Sequence, residues 1–166
     1  MNHFDFIQTY FTEEKIESLF FIILGSIAVL LAIIFLGIIK YSFFKGMAIP
    51  LLFIGLMQIV VGSIVYSRVP KDIERMDQII NNQTSLIQTT EIHRMETVLQ
   101  NFTIYKWIEI TLIILGIILI LTFYKSQQTY WKGLGLGLLI QACIMLSLDI
   151  IAEHRADIYL RYLMKI

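Results

Sequence analysis

The residues of this chain that could do chemistry are few, and several acids sit where acids are costly. Glu109 lies just inside an apolar run that begins at Trp107, and Asp149, Glu153 and Asp157 recur at i, i+4 and i+8 toward the end of another. A carboxylate in hydrocarbon costs a few kcal/mol unless it is paired or reaches water, so each of these groups should have a partner. Arg68, Lys71 and Arg75 stand at i, i+3 and i+7 beyond a third run, on the same side, and Arg155 shares the acids' own helix. The pattern predicts a charged cluster of Arg68, Lys71, Glu109, Asp149, Glu153 and Arg155. It has two readings: an ion network that fixes how two helix pairs meet, or a proton or cation site carried by Glu109 and Asp149.

Other chemistry is sparse. His3, His93 and His154 stand in no HExxH or paired ExxH pattern, although Asp149, Glu153 and His154 could in principle hold a divalent metal with His93. No GxSxG, P-loop or dinucleotide fingerprint occurs, and Gly133-Leu-Gly-Leu-Gly137 lies within an apolar helix pattern rather than between strand and helix. The single Cys143 falls mid-run and reads as a small hydrophobe buried in lipid. Asn82-Gln-Thr and Asn101-Phe-Thr match the glycosylation sequon, a weak pattern. No enzyme activity, cofactor or resident metal is expected. The balanced charge of 13 basic and 13 acidic residues gives no global field for nucleic acid.

The elements that must position these residues are four apolar runs, Leu19 to Ile39, Met47 to Tyr66, Trp107 to Tyr124 and Gly133 to Ala152. Each is long enough to cross the ~30 Å hydrocarbon core of a bilayer as a helix. With 57% hydrophobic residues, the chain reads as all-α: one membrane domain over 1–166, a four-helix bundle of two transmembrane hairpins. The hairpins follow from the short connections Lys40 to Lys45 and Lys125 to Lys132. The first run is too long for a signal peptide and lacks an A-x-A site, so it reads as a retained helix. Before it, Phe4, Ile7 and Phe11 fit a short interfacial helix, with Thr12 capping the next helix and Glu13 and Glu14 in that helix's first turn. Pro50 falls in the first turn of the second run, where its missing N–H costs little.

The connection over 67–106 is long and patterned. Ile73, Met76, Ile80 and Leu86 or Ile87 share a helical spacing, as do Ile92, Met95, Leu99 and Phe102, with turn chemistry at Asn81 to Ser85. It predicts two helical arms folded against each other outside the membrane; an amphipathic segment lying on the bilayer is the alternative. Helix seams are marked by small and amide residues: Gly25, Ala28 and Ala32; Gly55, Gln58 and Gly62; Gly133, Gly137 and Gln141. Gln58 and Gln141 are expected to meet and join the hairpins. The alternative for the two amides is a polar pore lining.

Orientation draws opposite arguments from the same residues. A Lys/Arg count puts both termini and the arm in the cytoplasm, whereas short lysine-only loops without acids are typical of cytoplasmic loops. The reading adopted is short loops inside and both termini outside. At Arg94 to Glu109, Lys132 to Gln141 and Asp149 to Tyr159 the chain resembles a group of small bacterial inner-membrane proteins of unassigned function. That resemblance implies a four-span, multi-pass protein of the inner membrane and carries no catalytic residues. Three function classes stand: an accessory or binding protein, including a toxin-immunity type, that docks a membrane or envelope partner or itself; an oligomeric channel or proton-coupled transporter using Glu109 and Asp149; and a membrane metal site or enzyme.

Overall fold

The computed structural model describes residues 3–82 and 90–165. They form four helices, α1 (His3–Gly37), α2 (Ser42–Asn82), α3 (Ile92–Thr122) and α4 (Thr129–Leu163), and no strand occurs among them. All four are long and apolar enough to cross a membrane, the architecture of a multi-pass membrane protein. At 31 to 41 residues, each exceeds the ~20 that a bilayer needs, so each carries a polar extension. All four extensions gather at one end, opposite the two short connections.

The helices start and stop differently from what the sequence pattern suggests. Thr12 does not cap a new helix; its hydroxyl donates back to the Gln8 carbonyl (2.8 Å), as Thr9 does to Asp5, and α1 runs through without a break. A back-bonded threonine leaves no orphan N–H to mark a boundary. Ile7 and Phe11 are consequently buried in protein rather than laid on a lipid surface, and the side chain of Phe4 lies outside the described ones. Pro50 is likewise interior to α2, which begins at Ser42. Its ring packs at the contact with α4, where a Cβ on Gly137 would come within 2.6 Å of the proline Cγ.

In space the order is α1, α2, α4, α3. α1 and α2 run antiparallel, as do α3 and α4, and the two hairpins join through α2 against α4. One third of the apolar stretch of α2 is buried (33%) against 11% in α3, which marks α2 as an inner helix and α3 as an outer one. Along these stretches the contacts are made by glycines and alanines, and the large side chains face outward. The main hydrophobic core lies at the polar end instead. There Ile7, Tyr10 and Phe11 of α1 meet Val69 and Met76 of α2, Met95 of α3, and Ala156, Tyr159, Leu160 and Leu163 of α4. Ile73, Ile80, Ile92, Leu99 and Phe102 pack around this cluster, as the arm periodicity requires.

The arms therefore fold into a head to which all four helices contribute, rather than against each other alone. The backbones of α2 and α3 stay apart, and the last turns of α4 contribute Tyr159, Leu160 and Leu163 to the core that both arms share. From Ser67 to Asn82 the extension of α2 rises by about 24 Å. Of the expected turn at Asn81 to Ser85, Asn81 and Asn82 belong to α2 and residues 83–85 lie outside the described residues, as do Leu86 and Ile87 of the arm spacing.

Candidate functional site

The centre of the head is Glu91, which immediately precedes α3 and is 1% exposed. A carboxylate that deep is tolerated only with several donors, and Glu91 has them. Arg94 donates through Nε (3.0 Å) and Nη2 (2.6 Å), Arg75 through Nη2 (2.9 Å), and the Tyr159 hydroxyl at 3.3 Å. The network continues outward: Arg75 also faces Asp72 (3.3 Å), Asp72 meets Arg68 (3.0 Å), and Arg68 reaches Glu14 on α1 (2.7 Å). Alternating charges thus run from α1 through α2 to the start of α3.

An aromatic stack closes the other side of Glu91. Tyr159 lies parallel to Tyr10 with centroids 3.9 Å apart, and the Arg155 guanidinium sits 5.4 Å from the Tyr10 ring while pairing with Glu17 at 2.6 Å. Burial pushes the Tyr10 and Tyr159 hydroxyls well above the ordinary tyrosine range, and Glu91 adds to the effect on Tyr159. Burial also raises Glu17 against the opposing pull of Arg155. At Arg94 burial acts to lower the pKa, but Glu91 outweighs it and the guanidinium is held charged.

The charged cluster expected from the sequence is divided among these partners. Arg68 turns to Glu14 and Asp72, Lys71 is exposed, Arg155 crosses to Glu17 on α1, and Glu153 takes Lys106 of α3 at 2.6 Å. Asp157 pairs with Arg161 on its own helix (2.9 Å). The predicted pairing of the α4 acids with Arg68 or Arg155 does not form, because both arginines face α1, the neighbour that sequence spacing could not identify.

Glu109 and Asp149 are left to each other. Their exposures are 2% and 8%, their carboxyl groups lie side by side, and both Glu109 oxygens lack a hydrogen-bond donor among the described residues. Lys106 and Arg155 pair with Glu153 and Glu17 and supply no donor to Glu109. The metal set considered from the sequence is not assembled. His93 is exposed beside Glu96 at 3.8 Å, His154 is exposed, and no group of three or more metal-binding side chains occurs among the described residues.

The seams hold with different partners. Gly55, Gln58 and Gly62 face α1: a Cβ on Gly55 would meet the Gly25 carbonyl at 2.9 Å, and one on Gly62 the Ser18 carbonyl at 2.7 Å. Gly133 and Gly137 face α2, at Phe43 and Met47. Gln58 turns toward α1, where a Cβ on Gly25 would come within 2.9 Å of the Gln58 Cβ. The expected Gln58–Gln141 hydrogen bond does not form: both amide atoms of Gln58 are buried without a hydrogen-bond partner among the described residues. A third seam was not anticipated: Gly135 meets Gly116 of α3, where Cβ atoms would come within 2.7 and 2.8 Å of the facing carbonyls.

Sequence reasoning also passed over Glu91, Tyr10, Glu17 and Tyr159. The available signal was Glu91 three residues before Arg94, a spacing shared with countless surface pairs. Comparison of the chain with protein-family models, with curated proteins and with solved structures finds nothing that matches.

Proposed function

We propose that this chain is an integral membrane protein of two transmembrane hairpins whose head stands in water and docks a membrane or envelope protein. The observation that carries this reading is the head itself. All four helices continue from the apolar stretches into it, and its ions and stacked tyrosines hold one arrangement around Glu91. A surface fixed before binding loses less conformational entropy when a partner docks, which is how an accessory or toxin-immunity protein gains affinity. By the positive-inside argument for short loops, Lys40, Lys45, Lys125 and Lys132 face the cytoplasm and the head lies outside. In a bacterium this is the inner membrane, as the resemblance to small four-span proteins also suggests. The test places photo-crosslinking side chains at exposed head positions Lys71, Glu74 and Glu96 and at Lys125 on the short-loop side. Crosslinks to one common partner from the head alone support the reading; crosslinks only from the spans, or only to further copies through Lys125, overturn it.

A second reading is favoured by a specific observation, the buried Glu109–Asp149 pair, in which both Glu109 oxygens lack a hydrogen-bond donor among the described residues. In an oligomer such a pair could relay a proton or monovalent cation. Under this reading Asp149→Asn abolishes ion flux in proteoliposomes and leaves helicity and assembly unchanged; wild-type vesicles with no flux in any gradient contradict it.

A further inference from the structure

Near the base of the head the backbones of α1 and α4 stand apart and meet through long side chains, and between them runs an open groove of about 740 Å³. That is the size range of pockets that hold small organic ligands. Toward the apolar stretches its walls are Ile16 and Phe20 of α1 and Leu148 and Ile151 of α4. Beyond them comes a polar belt, with Glu13 and Glu17 on one side and His154 and Arg155 on the other, before the walls turn apolar again at Phe6, Tyr10 and Ile158. The change from apolar to polar wall falls where the runs Leu19 to Ile39 and Gly133 to Ala152 meet the head. In the membrane reading this is the depth of lipid phosphates.

We infer that this groove binds one zwitterionic phospholipid with a primary-amine headgroup, its acyl chain between α1 and α4 and its headgroup at Arg155, Glu13 and Glu17. A groove walled by hydrocarbon and open sideways to a bilayer is filled by the only hydrocarbon there, an acyl chain. At the polar belt Arg155 uses one terminal nitrogen on Glu17, while its Nε is buried with no hydrogen-bond partner among the described residues, a donor that a phosphate oxygen would satisfy. Two carboxylates beside one guanidinium reject a net-negative headgroup and accept an ammonium, so the pattern of charge fits a lipid bearing both. A quaternary ammonium offers no N–H to Glu13 and Glu17, and is disfavoured for that reason.

This inference rests on the membrane reading, not on the docking partner. The experiment is native mass spectrometry of the full chain, delipidated and offered dioleoyl phosphatidylethanolamine, phosphatidylcholine or phosphatidylglycerol in nanodiscs. Incorporation into the disc reports the membrane reading separately from the lipid count. The expected result is one phosphatidylethanolamine retained per chain, with the other two lipids held at least about tenfold more weakly. Ile151→Trp, which fills the apolar wall and leaves the charged end untouched, should release that lipid while helicity is kept. Arg155→Gln should lower retention about tenfold and weaken the preference over phosphatidylglycerol. Equal retention of all three lipids, a preference for phosphatidylglycerol, or full retention in Ile151→Trp would each overturn the assignment.

Discussion

At the scale of single residues the head depends on one carboxylate. Removing Glu91 leaves the guanidiniums of Arg75 and Arg94 and the Tyr159 hydroxyl facing an empty acceptor, in a place that Glu91 fills at 1% exposure. Breaking a buried pair by deleting one member costs about 3–5 kcal/mol; the lower end applies here because Arg75 still reaches water. Glu91→Ala should therefore lower the unfolding midpoint in detergent sharply, while Glu96→Ala, at an exposed position, stays within about 0.5 kcal/mol of wild type. The stacked tyrosines give a pH signature. Unfolded tyrosine ionises near pH 10, while Tyr10 and Tyr159 stay neutral in the fold, so above that pH the unfolded state has lost protons that the folded state keeps. Stability should be flat below about pH 10 and fall above it by up to ~1.4 kcal/mol per pH unit for each tyrosine. Tyr10→Phe and Tyr159→Phe should flatten that decline in thermal melts run from pH 8 to 12. None of this was legible residue by residue, because two of the partners of Glu91 stand 16 and 68 positions away along the chain.

At the scale of elements α4 explains the glycine run. Lying between α2 and α3, it needs a small surface on both sides, and residues two apart on a helix point in nearly opposite directions. Gly133 and Gly137 serve α2, and Gly135 serves α3 through Gly116. Gly135→Leu should thus part α3 from α4 and leave the α2 contact in place, at a cost of about 1–3 kcal/mol, whereas Gly37→Leu, with nothing within 4 Å, should be neutral. Disulfide trapping between cysteines placed near Gly116 and Leu139 would read the difference directly. The seam of Gly133 and Gly137 toward α2 was readable from spacing, since small residues four apart need one neighbour. The seam of Gly135 was not, because nothing in the chain says that α4 has two. The Gln58–Gln141 expectation failed for a related reason: depth can be counted from the loops, but the face cannot, and Gln58 is turned to α1 at Gly25 rather than to α4. Likewise the apolar runs disclosed four helices and their hairpins, while the continuity of α1 past Thr12 was hidden by a residue type that can cap or back-bond.

At the scale of the whole molecule the two ends do different physical work. The apolar stretches keep most of their large side chains on the outside, so in this account lipid is their solvent, and their helices are held by close backbone approach. The head instead has a hydrophobic core, an ion network and buried aromatic groups, and reads like a small soluble bundle joined to the membrane part by continuous helices. Because much of its surface pairing is exposed, raising salt should soften the head modestly and leave the membrane part unaffected, a difference that hydrogen exchange resolved by residue would show. The central claim is that this head serves a protein partner. The most direct measurement is the mass of the particle extracted in native nanodiscs, without detergent and with no ligand added. A monomer or dimer carrying a second chain in fixed ratio is the predicted result. A closed ring of this chain alone would contradict it, and would shift the weight to Glu109 and Asp149 as an ion path.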